Sequence, residues 1–438
     1  MRELSELSGY KNKPLKMLNN AGIQIGDFIK IITKTSEYSG NILPRYEYSN
    51  EDFIVIKMSN GYNIGIDSNK ILSINKINSG EEPKFIPPSK PNVKESLPKI
   101  SILGTGGTIA SRIDYKTGAV NPAFSAEELY SIIPELSEYA NINTELISNI
   151  ASEQMNPEDW KNIAEQVVKK INDGNQGIVI GHGTDTMAYT SAALSFALVN
   201  SPIPIILTGA QRSTDRPSSD ASLNMISSVI VASERKLNGV YLAMHSSIED
   251  NEVSIHSGTR VRKNHTSRRD AFQSIGIEPI AIVNQGNVSI NNQLSIKKNK
   301  FEPKINFDDN VSLLKFHPGF NPKIIEGLIE SNVKGIILEG TGLGHVNSKC
   351  NNSIKKAIDK GIFVGMTSQC LNGRIKMTVY SAGRDLLDLG VIPLEDMLPE
   401  TALVKLMWAY GNYKNEEIQK IMTDDIAGEF TERSILGR

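Results

Sequence analysis

The chain has 438 residues, enough for two or three domains, and its 39% hydrophobic and 22% charged residues are ordinary for a globular protein. A net charge of -2 excludes a globally basic, phosphate-neutralising surface, so nucleic acid could be met only by a local patch or through a partner. No apolar run is long enough to span a membrane, MRELSELSGYKNK lacks the apolar stretch of a signal peptide, and Cys350 and Cys370 show neither metal-ligand spacing nor a disulfide framework, so a cytoplasmic chain with reduced thiols is expected.

Taken in chain order, residues 20–77 read as short strands. GDFIKIIT, GNILP, FIVIKMSNGYNIGI and KILSI place Ile, Val, Phe and Tyr between turn residues. Asn60-Gly61 separates two of these runs, and both residues tolerate the positive φ of a tight hairpin. Residues 1–80 are therefore expected to form a small all-β, SH3-like barrel. Residues 81–98 carry Pro83, Pro87, Pro88, Pro91 and Pro98, which deny a sheet its donors, and read as a linker. From residue 99 the texture changes to apolar runs that end in glycine-rich loops and lead into helical patterns. Ile100–Leu103, Gly177–Ile180, Ile203–Leu207 and Val240–Met244 are such runs. This alternation predicts an α/β domain over 99–295 with a mainly parallel sheet. A polar stretch around Asn284–Asn310 follows. SLLKF, NPKIIEGLIES, GIILEG, NSIKKAIDK and IFVGMTS then predict a smaller α/β domain over 310–438.

Open parallel sheets bind ligands at the carboxyl ends of their strands, which directs the search to three segments. Gly104-Thr105-Gly106-Gly107-Thr108 is not a dinucleotide fingerprint, because Ile109 stands at the third glycine position, and no Lys-Ser/Thr follows to make a P-loop. It offers a threonine hydroxyl between glycines whose N–H groups can hold an oxyanion, or simply a capped strand-to-helix turn. His182-Gly183-Thr184-Asp185-Thr186 is the second segment. It reads either as a helix cap or as a polar site, and His182, with no G-x-S-x-G elbow in the chain, reads as structural. The third runs from Gly258 to Asp270 and is the most basic stretch. It is either a solvated loop or a loop that sends one lysine into a site and leaves its arginines outside for phosphates. No metal-binding motif is present, so hydroxyls, a lysine and an aspartate are the candidates. A hydroxyl needs a base to become a nucleophile, and a lysine serves as one at neutral pH only when desolvation or a neighbouring cation lowers its pKa.

ILGTGGTIAS, IGHGTDTMAYT and the lysine of GTRVRKNHT, in this order, resemble the L-asparaginase family over residues 99 to about 415. The resemblance implies an L-asparaginase-like two-domain core and a site with two threonines on opposite sides of an amide substrate. Thr105 matches the first threonine and Tyr115 the tyrosine that covers it. Thr184 and Asp185 match the second threonine and its aspartate, and Lys263 the lysine beside them. Ser152 and Glu153 fall where the family binds the substrate's α-carboxylate and α-amino groups, and Gly104 and Gly183 flank the two threonines. Within the family the likeness is to the GatD branch of archaeal Glu-tRNA(Gln) amidotransferases. It is carried by the β extension ahead of the Pro-rich linker, GAQRSTDRPSSDASLN at 209–224 and HTSRRDAFQS at 265–274; SQCLNGR and EDMLPETALVKL are shared with simple asparaginases.

That branch implies a glutamine amidase, with asparagine as a further substrate, that supplies ammonia to a GatE-like partner for conversion of Glu-tRNA(Gln) to Gln-tRNA(Gln). It implies no cofactor on this chain, ATP and Mg2+ at the partner, and a homodimer within a heterotetramer, with no membrane association. Two other readings stay open. A free-standing asparaginase or glutaminase needs the same site and no partner. A non-catalytic RNA-binding scaffold would bind RNA with steep salt dependence and release no ammonia.

Overall fold

The computed structural model describes residues 9–45, 51–59, 62–79, 94–106, 129–130, 133–212, 218–291 and 300–433, with the backbone of 111–113 and 120–122. The Asn60-Gly61 turn, most of the Pro-rich linker, Gly107, Thr108 and Tyr115 lie outside the described residues. The chain divides into two compact units: Met1–Lys90, Thr108–Pro134 and Arg212–Ser222 form one, and Pro91–Gly107, Glu135–Gln211 and Leu223–Arg438 the other.

The first unit opens with helix α1 (Asn12–Asn20), which the sequence reading did not single out. Pro14 is tolerated in its first turn, and Pro14 and Leu18, four apart, are buried on one face. Strands β1 (Phe28–Thr33), β2 (Glu37–Ile42), β3 (Phe53–Met58), β4 (Asn63–Asp67) and β5 (Ile71–Asn78) make an antiparallel sheet in the order β4-β3-β2-β1-β5. Alternation along β1 and β3 sends Ile29, Ile31, Ile54 and Ile56 to one face, where they pack with Ile42 and with Leu18 of α1. Beyond β6 (Lys99–Gly104) of the second unit, β7 (Ser111–Ile113) and β8 (Val120–Pro122) form a separate antiparallel pair.

In the second unit, a one-turn helix α2 (Leu136–Tyr139) precedes β9 (Asn141–Leu146) and α3 (Pro157–Asn172) follows it. α3 starts where the sequence sets a capping box. The Asn156 side chain accepts from the Glu158 and Asp159 N–H groups, the Asp159 carboxylate accepts from Asn156 N, and Pro157 needs no partner at N1. Trp160, Ile163, Ala164 and Val167 line its buried stripe. Then come β10 (Gly177–Gly181), α4 (Met187–Ala197), β11 (Pro204–Thr208), α5 (Ala221–Glu234), β12 (Gly239–His245), β13 (Glu252–Ser257), the hairpin β14 (Val261–Lys263) and β15 (Phe272–Ser274), and the strands β16 (Ala281–Asn284) and β17 (Asn287–Ile290).

The main sheet has the order β17-β16-β13-β12-β11-β10-β6-β9. β9, β6, β10, β11 and β12 are parallel, and β13, β16 and β17 extend the edge antiparallel. The chain leaves β6 for β9 on one side and then returns to β10 on the other. Strand order therefore reverses between β6 and β10, and such a switch point is where open α/β sheets bind their ligands. The register pairs Gly104 with Gly181, so the two glycine-rich loops leave the sheet side by side.

The C-terminal part adds a parallel sheet, β18 (Val311–Lys315), β19 (Gly335–Gly340), β20 (Phe363–Ser368) and β21 (Ile392–Pro393), in simple sequential order. It is flanked by α6 (Lys323–Glu330), α7 (Asn351–Asp359), α8 (Ser381–Leu389), α9 (Pro399–Asn412) and α10 (Ile418–Thr423). α4 and α9 join the two sheets: the Phe196 and Trp408 rings stack at 5.6 Å. Cys350 is buried and Cys370 exposed, and both are free thiols.

Candidate active site

Thr105 follows β6 directly and is 1% exposed. Its backbone N–H and its hydroxyl both donate to the Gly181 carbonyl at 3.0 Å, and its own carbonyl accepts from Ile150 N at 3.0 Å and Ser148 Oγ at 3.1 Å. The Gly104 carbonyl accepts from Ile147 N, so the first loop is tied to its neighbours on both sides. Gly106 has φ +114°, and a Cβ there would lie 2.4 Å from the Ile150 carbonyl oxygen, so only glycine fits the turn.

The second loop leaves β10 beneath a buried polar chain. The His182 Nδ1 lies 2.7 Å from the Gly183 carbonyl and its Nε2 lies 2.9 Å from Thr190 Oγ1, which also accepts from Trp160 Nε1 at 3.1 Å. Burial pushes the imidazole down to about 4, so it is neutral near pH 7, with the Nδ1 proton donated to the carbonyl. His182 is thus a structural brace, which agrees with the sequence pattern. Beyond it, Lys263 Nζ donates to Thr184 Oγ1 at 2.9 Å and to Asp185 Oδ1 at 2.7 Å. Lys263 is 13% exposed while Asp185 is 67% exposed, so the ammonium end is sheltered and the carboxylate faces outward. Ser152, on the short turn Ser152–Gln154, is buried against this loop. Thr186 Oγ1 donates to its carbonyl at 2.7 Å, and a Cβ on Gly183 would come within 2.7 Å of Ser152 Cβ. Glu153, on the same turn, has an exposed side chain.

The structure therefore brings Thr184, Asp185 and Lys263 into direct contact, seats Gly183 on Ser152, and sets Gly104 and Thr105 on the adjacent strand end. A hydroxyl, an amine and a carboxylate in line can move a proton, and the two glycine-containing loops leave the same carboxyl end of the sheet. Among the described residues, no group of three or more His, Cys, Asp or Glu side chains could hold a metal ion.

The basic stretch does not offer free arginines. Arg268 Nε donates to Asp270 at 2.9 Å, Arg269 pairs with Asp250, and Arg262 Nε lies 3.3 Å from Glu400. His265 Nδ1 accepts from Ser267 N and Arg268 N at 3.0 Å each and shapes the turn. Sequence reasoning also missed a second buried polar chain at the carboxyl end of the sheet. Asn224 Nδ2 donates to the Gly209 carbonyl at 3.0 Å, and Asn224 Oδ1 lies 2.6 Å from His245 Nδ1. The only signal for it was a histidine at the end of an apolar strand.

Comparison with known proteins identifies the family and the fold. Residues 99–296 match the family model for the asparaginase N-terminal domain, 310–422 the glutaminase/asparaginase C-terminal domain, and 23–77 the GatD N-terminal domain. The glutamyl-tRNA(Gln) amidotransferase GatD chain of Methanococcus maripaludis is 49% identical over 94% of this chain and 99% of its own, and that of Pyrococcus furiosus 48% over 95% and 97%. Among solved structures, the thermostable L-asparaginase of Thermococcus kodakarensis superposes with a TM-score of 0.69 at 36% identity, covering 76% of this chain and all of that one. L-asparaginase I of Vibrio cholerae gives 0.67 at 29% identity, covering 77% of this chain. No helix among the described residues is long and apolar enough to cross a membrane. With an asparaginase-type fold and relatives of this identity along almost its whole length, the chain belongs to the GatD family of glutamyl-tRNA(Gln) amidotransferases.

Proposed function

We propose that the chain hydrolyses the side-chain carboxamide of glutamine, with asparagine as an alternative substrate, and passes the ammonia to a GatE-like partner. The partner uses ATP and Mg2+ to activate Glu-tRNA(Gln), and the ammonia converts it to Gln-tRNA(Gln) in the cytoplasm. The chain itself needs no cofactor, and it works as a homodimer within a heterotetramer. Family membership supports the division of labour, and the contact of Lys263 with Thr184 and Asp185 carries the chemical reading.

In this reading Thr105 Oγ attacks the carboxamide carbon. Its proton passes through Thr184 to the Lys263 side chain, which Asp185 orients, and backbone N–H groups of the glycine loops hold the oxyanion. The C–N bond breaks as the proton returns to the leaving nitrogen, and ammonia departs. Water then hydrolyses the threonine ester to glutamate and restores the hydroxyl. Ser152 and Glu153 receive the substrate's α-carboxylate and α-amino groups. The ammonia has to reach the partner without meeting bulk water, because protonation there removes its lone pair. The N-terminal sheet is the element that simple amidohydrolysis does not need, and we assign it to partner docking.

A second reading exchanges the two threonines. It is favoured by one observation: Lys263 bonds Thr184 directly, whereas the Thr105 hydroxyl donates to the Gly181 carbonyl. Trapping the acyl-enzyme with a slow amide analogue and mapping the esterified peptide separates the two. The role of Lys263 is tested by ammonia release from glutamine in Lys263→Met, which keeps the volume and removes the base. The expected loss in kcat is about 10²-fold or more, and a loss below about tenfold contradicts the role, since general bases contribute about 10²–10⁴.

A further inference from the structure

Lys263 is held on one side by Asp185 and Thr184, and the segment in front of it is gripped from the other side by the C-terminal domain. Thr259 Oγ1 donates to the Ala427 carbonyl at 3.1 Å, and the Thr259 carbonyl accepts from Thr401 Oγ1 at 2.9 Å. Arg260, 1% exposed, donates from Nη1 to the Asp396 and Glu429 carbonyls at 2.7 and 3.0 Å, and its Nη2 lies 3.3 Å from Asp396 Oδ2. Arg262 Nε lies 3.3 Å from Glu400 Oε1, whose side chain is 9% exposed. Strand alternation explains the division: residues 260 and 262 face the C-terminal domain, while Val261 enters the main core and Lys263 turns to the second loop.

Every group assigned to the chemistry comes from the N-terminal α/β domain, so this grip gives the C-terminal domain a part in the site. We propose that Arg262 and Glu400 are positioning residues that fix the register of β14 and thereby hold the Lys263 amine on Thr184. The inference rests on the proposed amidase reading for its kinetic consequence, but not for its structural one. Glu400 stands in the first turn of α9, where the helix dipole favours a carboxylate. Burial pushes its carboxyl upward and the Arg262 charge opposes this, so the two groups depend on each other. Arg260 is the staple that keeps the domains together, whereas Arg262 is 35% exposed and its loss need not unfold the chain.

The experiment compares Arg262→Met, Glu400→Gln, the double variant and Arg262→Lys in the full chain. It measures kcat and KM for ammonia release, and the crystal structure of Arg262→Met. Each single change is expected to lower kcat by about tenfold or more with KM within about twofold, because displacements near 1 Å cost on the order of 10²-fold. The double variant should be no worse than the poorer single, as expected for coupled partners, and Arg262→Lys should recover part of the rate. In the Arg262→Met crystal the Lys263 amine should have left Thr184. Wild-type kcat in both single variants, additive losses, or a Lys263 amine still 2.9 Å from Thr184 would overturn the proposal. If one variant fails to fold, the other carries the same reading. If the wild-type chain releases ammonia from no amide, the amidase reading fails instead, and the position of Lys263 in the crystal still decides the positioning role.

Discussion

Gly183 sits where a single methyl group would meet Ser152 Cβ at 2.7 Å and Oγ at 2.9 Å. Gly183→Ala must therefore move either the turn that carries Ser152 and Glu153 or the loop that carries Thr184. Ammonia release should fall by about 10²-fold, the cost of a displacement near 1 Å. The thermal midpoint should change little, because the loop lies beyond the carboxyl end of β10 and outside the strands of the core; an active Gly183→Ala enzyme would show that the two segments are not a unit. His182 gives a pH prediction. Its pKa falls from the usual 6.5 to about 4 in the folded chain, so between these values the unfolded chain binds more protons. Stability is thus present above 6.5 and lost as pH falls toward 4, by about 3 kcal/mol for this residue alone. Thermal midpoints measured across that range should fall with acid in the wild type and fall less in His182→Gln; identical slopes would contradict the assignment. At this scale the threonines, Asp185 and Lys263 were legible because short motifs carry them in order. The partners that hold them were not: Glu400 and Asp396 lie more than a hundred residues from Arg262 and Arg260, and nothing in a three-residue strand says which face meets which domain.

Among the elements, α9 and the segment after α10 enclose an ion pair, Lys405 with Glu429, both side chains 0% exposed. Lys405 Nζ also donates to the Asp424 carbonyl at 2.6 Å, and Glu429 accepts from Ala427 N at 2.7 Å. Burial pushes the lysine down and the carboxyl up, so the pair persists only because each charge has the other and a set of backbone partners. Lys405→Met alone is expected to cost about 3–5 kcal/mol, because it strands a buried carboxylate, and adding Glu429→Leu should recover much of that loss. Denaturant midpoints of the single and double variants test this; equal midpoints would mean that the pair carries no coupling. The parallel strands were readable as apolar runs closed by glycine. α1 was not, since nine residues with two asparagines at the end carry little helical pattern. α4 is buried on nearly all sides between the main sheet and α9, so it shows no amphipathic stripe to read.

For the whole molecule, the switch between β6 and β10 explains why two glycine-rich loops more than seventy residues apart in sequence emerge together. The strand order that creates this switch point was not legible, because periodicity identifies strands but not their neighbours. The N-terminal sheet was legible as β-rich sequence ahead of a Pro-rich stretch, and its assigned role is what separates a coupled amidotransferase component from a solitary amidohydrolase. The most direct test is ammonia release from glutamine by the purified chain, alone and with the GatE-like partner, ATP, Mg2+ and Glu-tRNA(Gln), for the full chain and for a form lacking residues 1–95. The account predicts strong stimulation of the full chain by the complete mixture, and loss of that stimulation in the truncated form. Full activity of the chain alone, indifferent to every addition, would contradict it and return the protein to the free-standing amidohydrolases.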